Sequence, residues 1–144
     1  MKIPGKLVLG ILAIIMAVHV TAIVYDWYTS LWWWVDVVLH TAGGAWIALV
    51  FFYAERRYAL GFQHISPVFV LILALGFVML VLVSWEWFEY GFDYFFVKEK
   101  LEWRAQLGLP DTMGDLFSDF VGGLLVSLYF VLKRGYSFTL NERK

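Results

Sequence analysis

Four long apolar stretches, separated by shorter polar segments, set the pattern of this chain. Leu7 through Tyr25 is interrupted only by His19 and Thr21, and Trp32–Ala54, Pro67–Phe92 and Asp115–Leu132 follow. A bilayer core takes about 20 apolar residues of helix, so the pattern predicts membrane spans at 7–25, 32–54, 67–92 and 115–132. Pro67 suits the first turn of its helix, where its missing N–H has no intrahelical partner anyway. The remaining long connection, Asp93–Gly114, alternates Lys98, Glu99, Lys100, Glu102 and Arg104 with Phe96, Leu101, Trp103 and Leu107, the pattern of an interfacial amphipathic helix. Gly108, Pro110 and the Asp111-Thr112 pair break that helix and start the last span. The fold expected is all-α: a four-helix transmembrane bundle in one membrane domain, residues 1–144, with an interfacial helix between spans three and four. A secretory signal is the rival reading of the first run, since Val20-Thr21-Ala22 loosely resembles a cleavage site. The run continues to Tyr25, so an uncleaved span is simpler.

Charge orients the bundle. With the N-terminus inside, Lys2, Lys6, Arg56, Arg57, Lys133, Arg134, Arg143 and Lys144 fall on the inner side, and only Lys98, Lys100 and Arg104 on the outer side. The positive-inside rule then makes both termini cytoplasmic, in a multi-pass protein of the cytoplasmic membrane. Tyr25, Trp27, Tyr28, Trp32, Trp33 and Trp34 mark one outer boundary, and Trp85, Trp87, Tyr90, Tyr94 and Trp103 another. Anchoring at the lipid–water interface accounts for most of this aromatic content. The whole-chain numbers agree: 144 residues, 62% hydrophobic, 20% aromatic, net charge -1. Near-neutral charge leaves no electrostatic footprint for nucleic acid, and no nucleic-acid partner is expected. The absence of cysteine excludes disulfides, thiolate zinc sites, iron–sulfur clusters and thiol nucleophiles.

The acidic residues are unevenly placed. Glu55 and Glu142 fall on the inner side, and the other ten of twelve lie in the outer half. Ionisable groups inside spans are costly and usually face a cavity or a partner. Span two carries Asp36 with His40 one turn deeper, span three carries Glu86 and Glu89 near its outer end, and span four carries Asp115 with Asp119 one turn deeper. His19 and Asp93 lie near the same depth as supporting groups. Spans two and four also share a spacing, Asp36-x3-His40-x2-Gly43-Gly44 and Asp115-x3-Asp119-x2-Gly122-Gly123. Glycines let helices approach closely in lipid, so the two motifs would close the floor of a polar pocket in the manner of a parallel internal repeat.

These carboxylates have no lysine or arginine within the spans to balance them. Helix dipoles favour Asp36, Asp115 and Asp119 near outward N-termini and disfavour Glu86 and Glu89 near a C-terminus. Carboxylates with one or two imidazoles describe a site for a divalent metal, magnesium, manganese, calcium or iron, with room for two ions. The expected ligands are Asp36, His40, Glu86, Glu89, Asp115 and Asp119. Plainer readings stand beside these: Asp115 as an N-cap, Glu86 and Glu89 as wetted groups at a helix end, His19 as a packing residue, and Asp93, Asp111, Glu99 and Glu102 as solvated loop charges.

At the same residues the chain resembles the VanZ-like and YjdF-like small membrane proteins, through Asp36-x3-His40-x2-Gly43-Gly44, Glu86-x2-Glu89 and Asp111-Thr112-x2-Asp115-x3-Asp119-x2-Gly122-Gly123. The Asp-Thr-x2-Asp segment and the double glycine favour the YjdF-like side; a VanZ-like pattern tends to have Gln near Glu89 and Asn near Asp119. The resemblance implies a four-span fold with an outward-facing polar site and supplies no activity. The residues themselves point to a metal-dependent hydrolase or transferase acting on a phosphorylated membrane-lipid head group at the outer leaflet. In that reading Glu89 is the general base, and Lys98, Lys100 or Arg104 contact the phosphate. The alternatives are a proton or divalent-cation transporter or channel component and a non-catalytic, metal-stabilised binding subunit, with assembly as a homo-oligomer left open.

Overall fold

The computed structural model describes residues 3–28, 34–97, 105 and 107–141. Their elements are α1 (Gly5–Val24), α2 (Trp34–Arg57), a 3-10 turn at Phe62–His64, α3 (Pro67–Phe96) and α4 (Leu109–Asn141). No strand occurs among the described residues. All four α-helices are long and apolar enough to cross a membrane, α4 over Leu109–Lys133.

Helix ends differ from the hydropathy boundaries in an informative way. Span one shifts from 7–25 to Gly5–Val24, and span two, expected at 32–54, is described from Trp34 and runs on through Arg57. Span three extends from 92 to Phe96, so Asp93 is helical rather than part of a loop. Span four, expected at 115–132, begins at Leu109. That start puts Asp115 well inside the helix and removes the N-cap reading. Pro110 occupies the first turn, and Gly108 before it adopts φ +119, a backbone region that favours glycine. The two flanks of the expected interfacial helix are thus taken up by α3 and α4; its central residues 98–104 and 106 lie outside the described residues.

Local chemistry explains the boundaries. The Ser66 hydroxyl caps α3 by accepting from the Phe69 N–H at 3.2 Å, with Pro67 following it. Helix α1 closes with Asp26 at φ 53, while the Trp27 N–H donates to the Ala22 carbonyl at 2.8 Å and the Asp26 N–H to that of Ile23 at 3.2 Å. That is a Schellman ending, and it turns the chain back across the end of the bundle. Helix α2 ends the same way at Ala59 (φ 49), with the Leu60 N–H donating to the Glu55 carbonyl at 3.1 Å.

Helix α2 is the hub, packing on α1, α3 and most extensively α4. Phe52 stacks on Phe130 with ring centres 4.8 Å apart, and His40 meets Asp119, so α2 and α4 run parallel. A Cβ on Gly44 would collide with the Asp119 backbone carbonyl, and one on Gly122 with that of Thr41. The shared glycine motif therefore brings two backbones together, but not symmetrically. In α2 the second glycine faces the partner backbone, whereas in α4 the first does, and Gly123 turns to α3, where a Cβ would lie 2.7 Å from Val78 Cγ1. Away from the polar end, Ile47, Ala48, Phe52, Val70, Ala74, Val78, Leu82, Phe130 and Val131 form the apolar core. Large side chains such as Leu9, Leu80, Phe117 and Leu125 point outward, as expected for helices solvated by hydrocarbon.

Candidate functional site

The expected polar residues meet where α1 and α3 end and α2 and α4 begin, and His40 is at their centre. Its Nδ1 lies 3.2 Å from Asp119 Oδ2, and its Nε2 lies 3.6 Å from Asp36 Oδ1 and 3.7 Å from Asp115 Oδ1. The first is a hydrogen bond. A carboxylate only accepts, so an ionised Asp119 places the ring proton on Nδ1. The other two separations exceed hydrogen-bond range. They turn Nε2 toward two carboxylates. One donor atom each from Asp36, His40 and Asp115 lies within 4.8 Å of the others.

Helix geometry produces this convergence. Asp36 and His40 are one turn apart on α2, and Asp115 and Asp119 one turn apart on α4. Such i, i+4 pairs share a face, and the glycine contact below them presses the two faces together. Gly43 leaves room beside Asp119, since a Cβ there would sit 3.7 Å from its Oδ1. Asp119 is 1% exposed, and that Oδ1 has no hydrogen-bond partner among the described residues.

The α3 residues divide. Glu86 is 3% exposed, and neither of its carboxylate oxygens meets full hydrogen-bond geometry with a described residue, although the Thr112 side chain lies close enough to act on it. It lies within electrostatic reach of His40, Asp111 and Asp119, behind the cavity surface rather than on it. Glu89 does line the cavity, and its Oε1 accepts from the Trp85 indole N–H at 2.9 Å. Asp93 stands apart: its Oδ1 accepts from the Ala105 N–H at 3.0 Å, tying the connection to α3.

Two lining residues were not expected. Asp111, taken from the sequence as a solvated loop charge, sits in the first turn of α4, accepts from the Leu107 N–H at 3.0 Å and borders the cavity. Tyr28 is carried back over the site by the turn that ends α1, and its hydroxyl lies 2.7 Å from His19 Nδ1. Burial, and then the nearby Asp36 and Glu89 carboxylates, push the Tyr28 phenol above its ordinary range. It therefore stays protonated, with one proton to donate. His19 also lines the cavity, so the pairing gives it a place at the site. Trp85 serves Glu89 as well as any boundary.

The cavity measures about 870 Å³, within the range of sites that enclose a drug-sized ligand. Asp36, His40, Glu89, Asp115 and Asp119 lie at its polar end, and apolar residues of all four helices line most of the remainder. One compartment thus joins a carboxylate–imidazole cluster to a hydrocarbon-like wall.

No curated protein and no solved structure matches this chain. A family model matches residues 2–135, most of its length, and the chain belongs to that family, described as predicted membrane protein (DUF2238).

Proposed function

We propose that the cluster holds a divalent cation and that the protein is a metal-dependent hydrolase or transferase acting on a phosphorylated lipid head group. The observation that carries this reading is the grouping of Asp36, His40 and Asp115 donors within 4.8 Å, on helices α2 and α4 whose lysines and arginines all lie at the opposite end. Two donors 3.6–3.7 Å apart have the spacing of neighbours sharing an ion at about 2.1–2.6 Å. The oxygens of Glu86 and Asp119 left without full hydrogen-bond geometry add negative charge that favours a cation over an uncharged site. Asp119 orients His40 through Nδ1, the carboxylate–histidine arrangement that fixes a metal-binding tautomer. A bound divalent ion supplies a Lewis acid and a more acidic water. Glu89, steadied by Trp85, takes the proton from the attacking water, and Tyr28, accepting from the His19 Nδ1–H, donates its own proton to a head-group oxygen. Lys98, Lys100 and Arg104, which lie outside the described residues, are the cationic side chains proposed to contact the phosphate.

The finer likeness to YjdF-like proteins, with both termini cytoplasmic and the site facing outward from the cytoplasmic membrane, belongs to the same proposal. Titrating the purified protein with Mn²⁺ tests the metal. Asp36→Asn and Asp115→Asn should abolish binding with the helices intact, and Asp119→Asn should weaken it by about 10–100-fold. Lipid-phosphate turnover should require added cation. If a broad lipid panel shows no turnover at confirmed occupancy, while proteoliposomes show cation or proton flux sensitive to Asp119→Asn, transport replaces catalysis. Occupancy with neither turnover nor flux would leave a metal-stabilised binding subunit.

A further inference from the structure

Below the carboxylates the cavity continues along Leu12, Ile15 and Met16 of α1, Trp46 and Ile47 of α2, and Val81 of α3. From His19 to Leu12 the α1 wall descends about 10 Å, at 1.5 Å per residue. Packing does not close this space on one side, because α1 rests on α2 without a packed seam against α3. Met16 (45% exposed), Val81 (36%) and Phe88 (58%) line the cavity while remaining open to the surroundings. The bottom is fixed differently: the Trp46 indole N–H donates to the Val8 carbonyl at 2.8 Å, holding the ring across the space between α1 and α2.

We infer that this compartment receives one hydrocarbon chain of a membrane lipid sideways, between α1 and α3, with its head group at the His40 cluster and Trp46 as a floor that limits chain length. The inference deepens the proposed function and rests on it for the head group. The occupant follows from the surroundings. An apolar cavity of this kind does not retain water, and the opening lies between helices whose outer faces are solvated by lipid chains. The polar end restricts entry to an amphiphile rather than to hydrocarbon in general. A pinned indole closes the bottom more firmly than a freely rotating side chain would.

The test uses the full-length protein in phosphatidylcholine nanodiscs containing phosphatidic acid with a diazirine midway along one acyl chain, with Mn²⁺ or with chelator. Light-driven labels should concentrate on Leu12, Met16 and Val81, and Met16→Trp, which plugs the opening, should cut that labelling about tenfold with an unchanged elution profile and melting temperature. Competition by phosphatidic acids of increasing chain length should strengthen and then level off, and Trp46→Ala should move the plateau to longer chains. Labels spread over Leu9, Ile14 and Leu125, as a surrounding lipid shell would leave them, and indifferent to Met16→Trp, would overturn the lateral pocket, as mapping in the unsubstituted protein shows without any variant. A plateau that Trp46→Ala does not move would overturn the floor. Focused labelling that persists in chelator, in a protein that binds no Mn²⁺, would sink the metal reading and leave the pocket standing; normal Mn²⁺ binding with diffuse labelling would do the reverse.

Discussion

Replacing single glycines by alanine should sort the helices' glycines by what each added methyl meets, and Gly44 is the sharpest case. Its Cβ would collide with the Asp119 carbonyl, a backbone group that no rotamer change can move aside. Carbon–oxygen contacts settle at about 3.3–3.6 Å, so α4 must retreat from α2 by roughly 1 Å or more. The 3.2 Å bond between His40 Nδ1 and Asp119 Oδ2 would then pass beyond hydrogen-bond range. Overpacking costs about 1–3 kcal/mol, and losing a hydrogen bond to a charged group about 1.5–3 kcal/mol. For Gly44→Ala the two together should cost on the order of 3 kcal/mol or more. Gly122→Ala, which meets the Thr41 carbonyl, should behave alike. Gly123→Ala should cost less, because its contact 2.7 Å away is the Val78 side chain. Gly10 and Gly76 have nothing within 4 Å, so alanine there should be neutral or stabilise by about 0.5–1 kcal/mol through helix propensity. Thermal or denaturant unfolding in one detergent, paired with Mn²⁺ titration, reads both effects. Equal losses at Gly44 and Gly76 would refute the close-approach argument.

Three further outcomes follow from the same structure. Ala59→Gly should raise stability by about 1 kcal/mol, since Ala59 holds φ 49; an unchanged or lower unfolding midpoint would count against that strain. The raised Tyr28 phenol contributes stability that is present below the unfolded phenol's pKa of about 10 and is lost as pH rises above it. Tyr28→Phe should therefore flatten the alkaline limb of the pH–stability curve while costing about 0.5–1.5 kcal/mol at neutral pH through the lost His19 contact; a parallel alkaline decline in both proteins would contradict the burial of this group. If both termini are cytoplasmic, a membrane-impermeant thiol reagent added to intact cells should label Trp103→Cys and leave Arg57→Cys untouched, and the opposite pattern would invert the bundle.

Hydropathy located the helices because four lipid-solvated faces need four apolar runs, yet it misjudged their ends. Apolar content tracks where hydrocarbon stops, whereas backbone hydrogen bonding continues through Asp93 to Phe96 and begins again at Leu109. Proline and glycine near position 110 read as breakers, although proline is at home in a first turn, and a span that hydropathy starts at 115 leaves Asp111 in the connection. The i, i+4 spacing of Asp36 with His40 and of Asp115 with Asp119 was legible because helix geometry alone puts such pairs on one face. Tyr28 was not, since its position depends on the left-handed Asp26 that reverses the chain after α1. Aspartate tolerates that conformation only somewhat better than other residues, and nothing else in the local pattern announces the turn. Glu86 and Glu89 looked equivalent in sequence, but three residues of helix turn one behind the cavity wall and leave the other on it.

That division bears on how the charge of the cluster is balanced. Asp36 and Asp111 lie in the first turns of α2 and α4, where partial positive charge on backbone N–H groups offsets part of their charge; Asp115, a turn deeper in α4, receives less of it. Glu86 and Glu89 lie toward the end of α3, where the helix contributes the opposite sign. Helix polarity therefore relieves one side of the site and aggravates the other. The imidazole of His40 carries at most one positive charge, and its Nδ1 is already committed to Asp119. Of the carboxylates not bonded to His40, Glu86 is the most deeply buried; the Thr112 side chain lies beside it but neither oxygen meets full hydrogen-bond geometry, an arrangement that ordinarily costs several kcal/mol if ionised. A proton on Glu86 or a nearby divalent ion resolves that cost, and the two make opposite predictions for Glu86→Gln. If Glu86 is held neutral by a proton, the amide should be tolerated with Mn²⁺ affinity unchanged. If the ion supplies the compensation, Glu86→Gln should stabilise the metal-free protein and weaken Mn²⁺ binding together, and the metal proposal expects that coupled pair of changes.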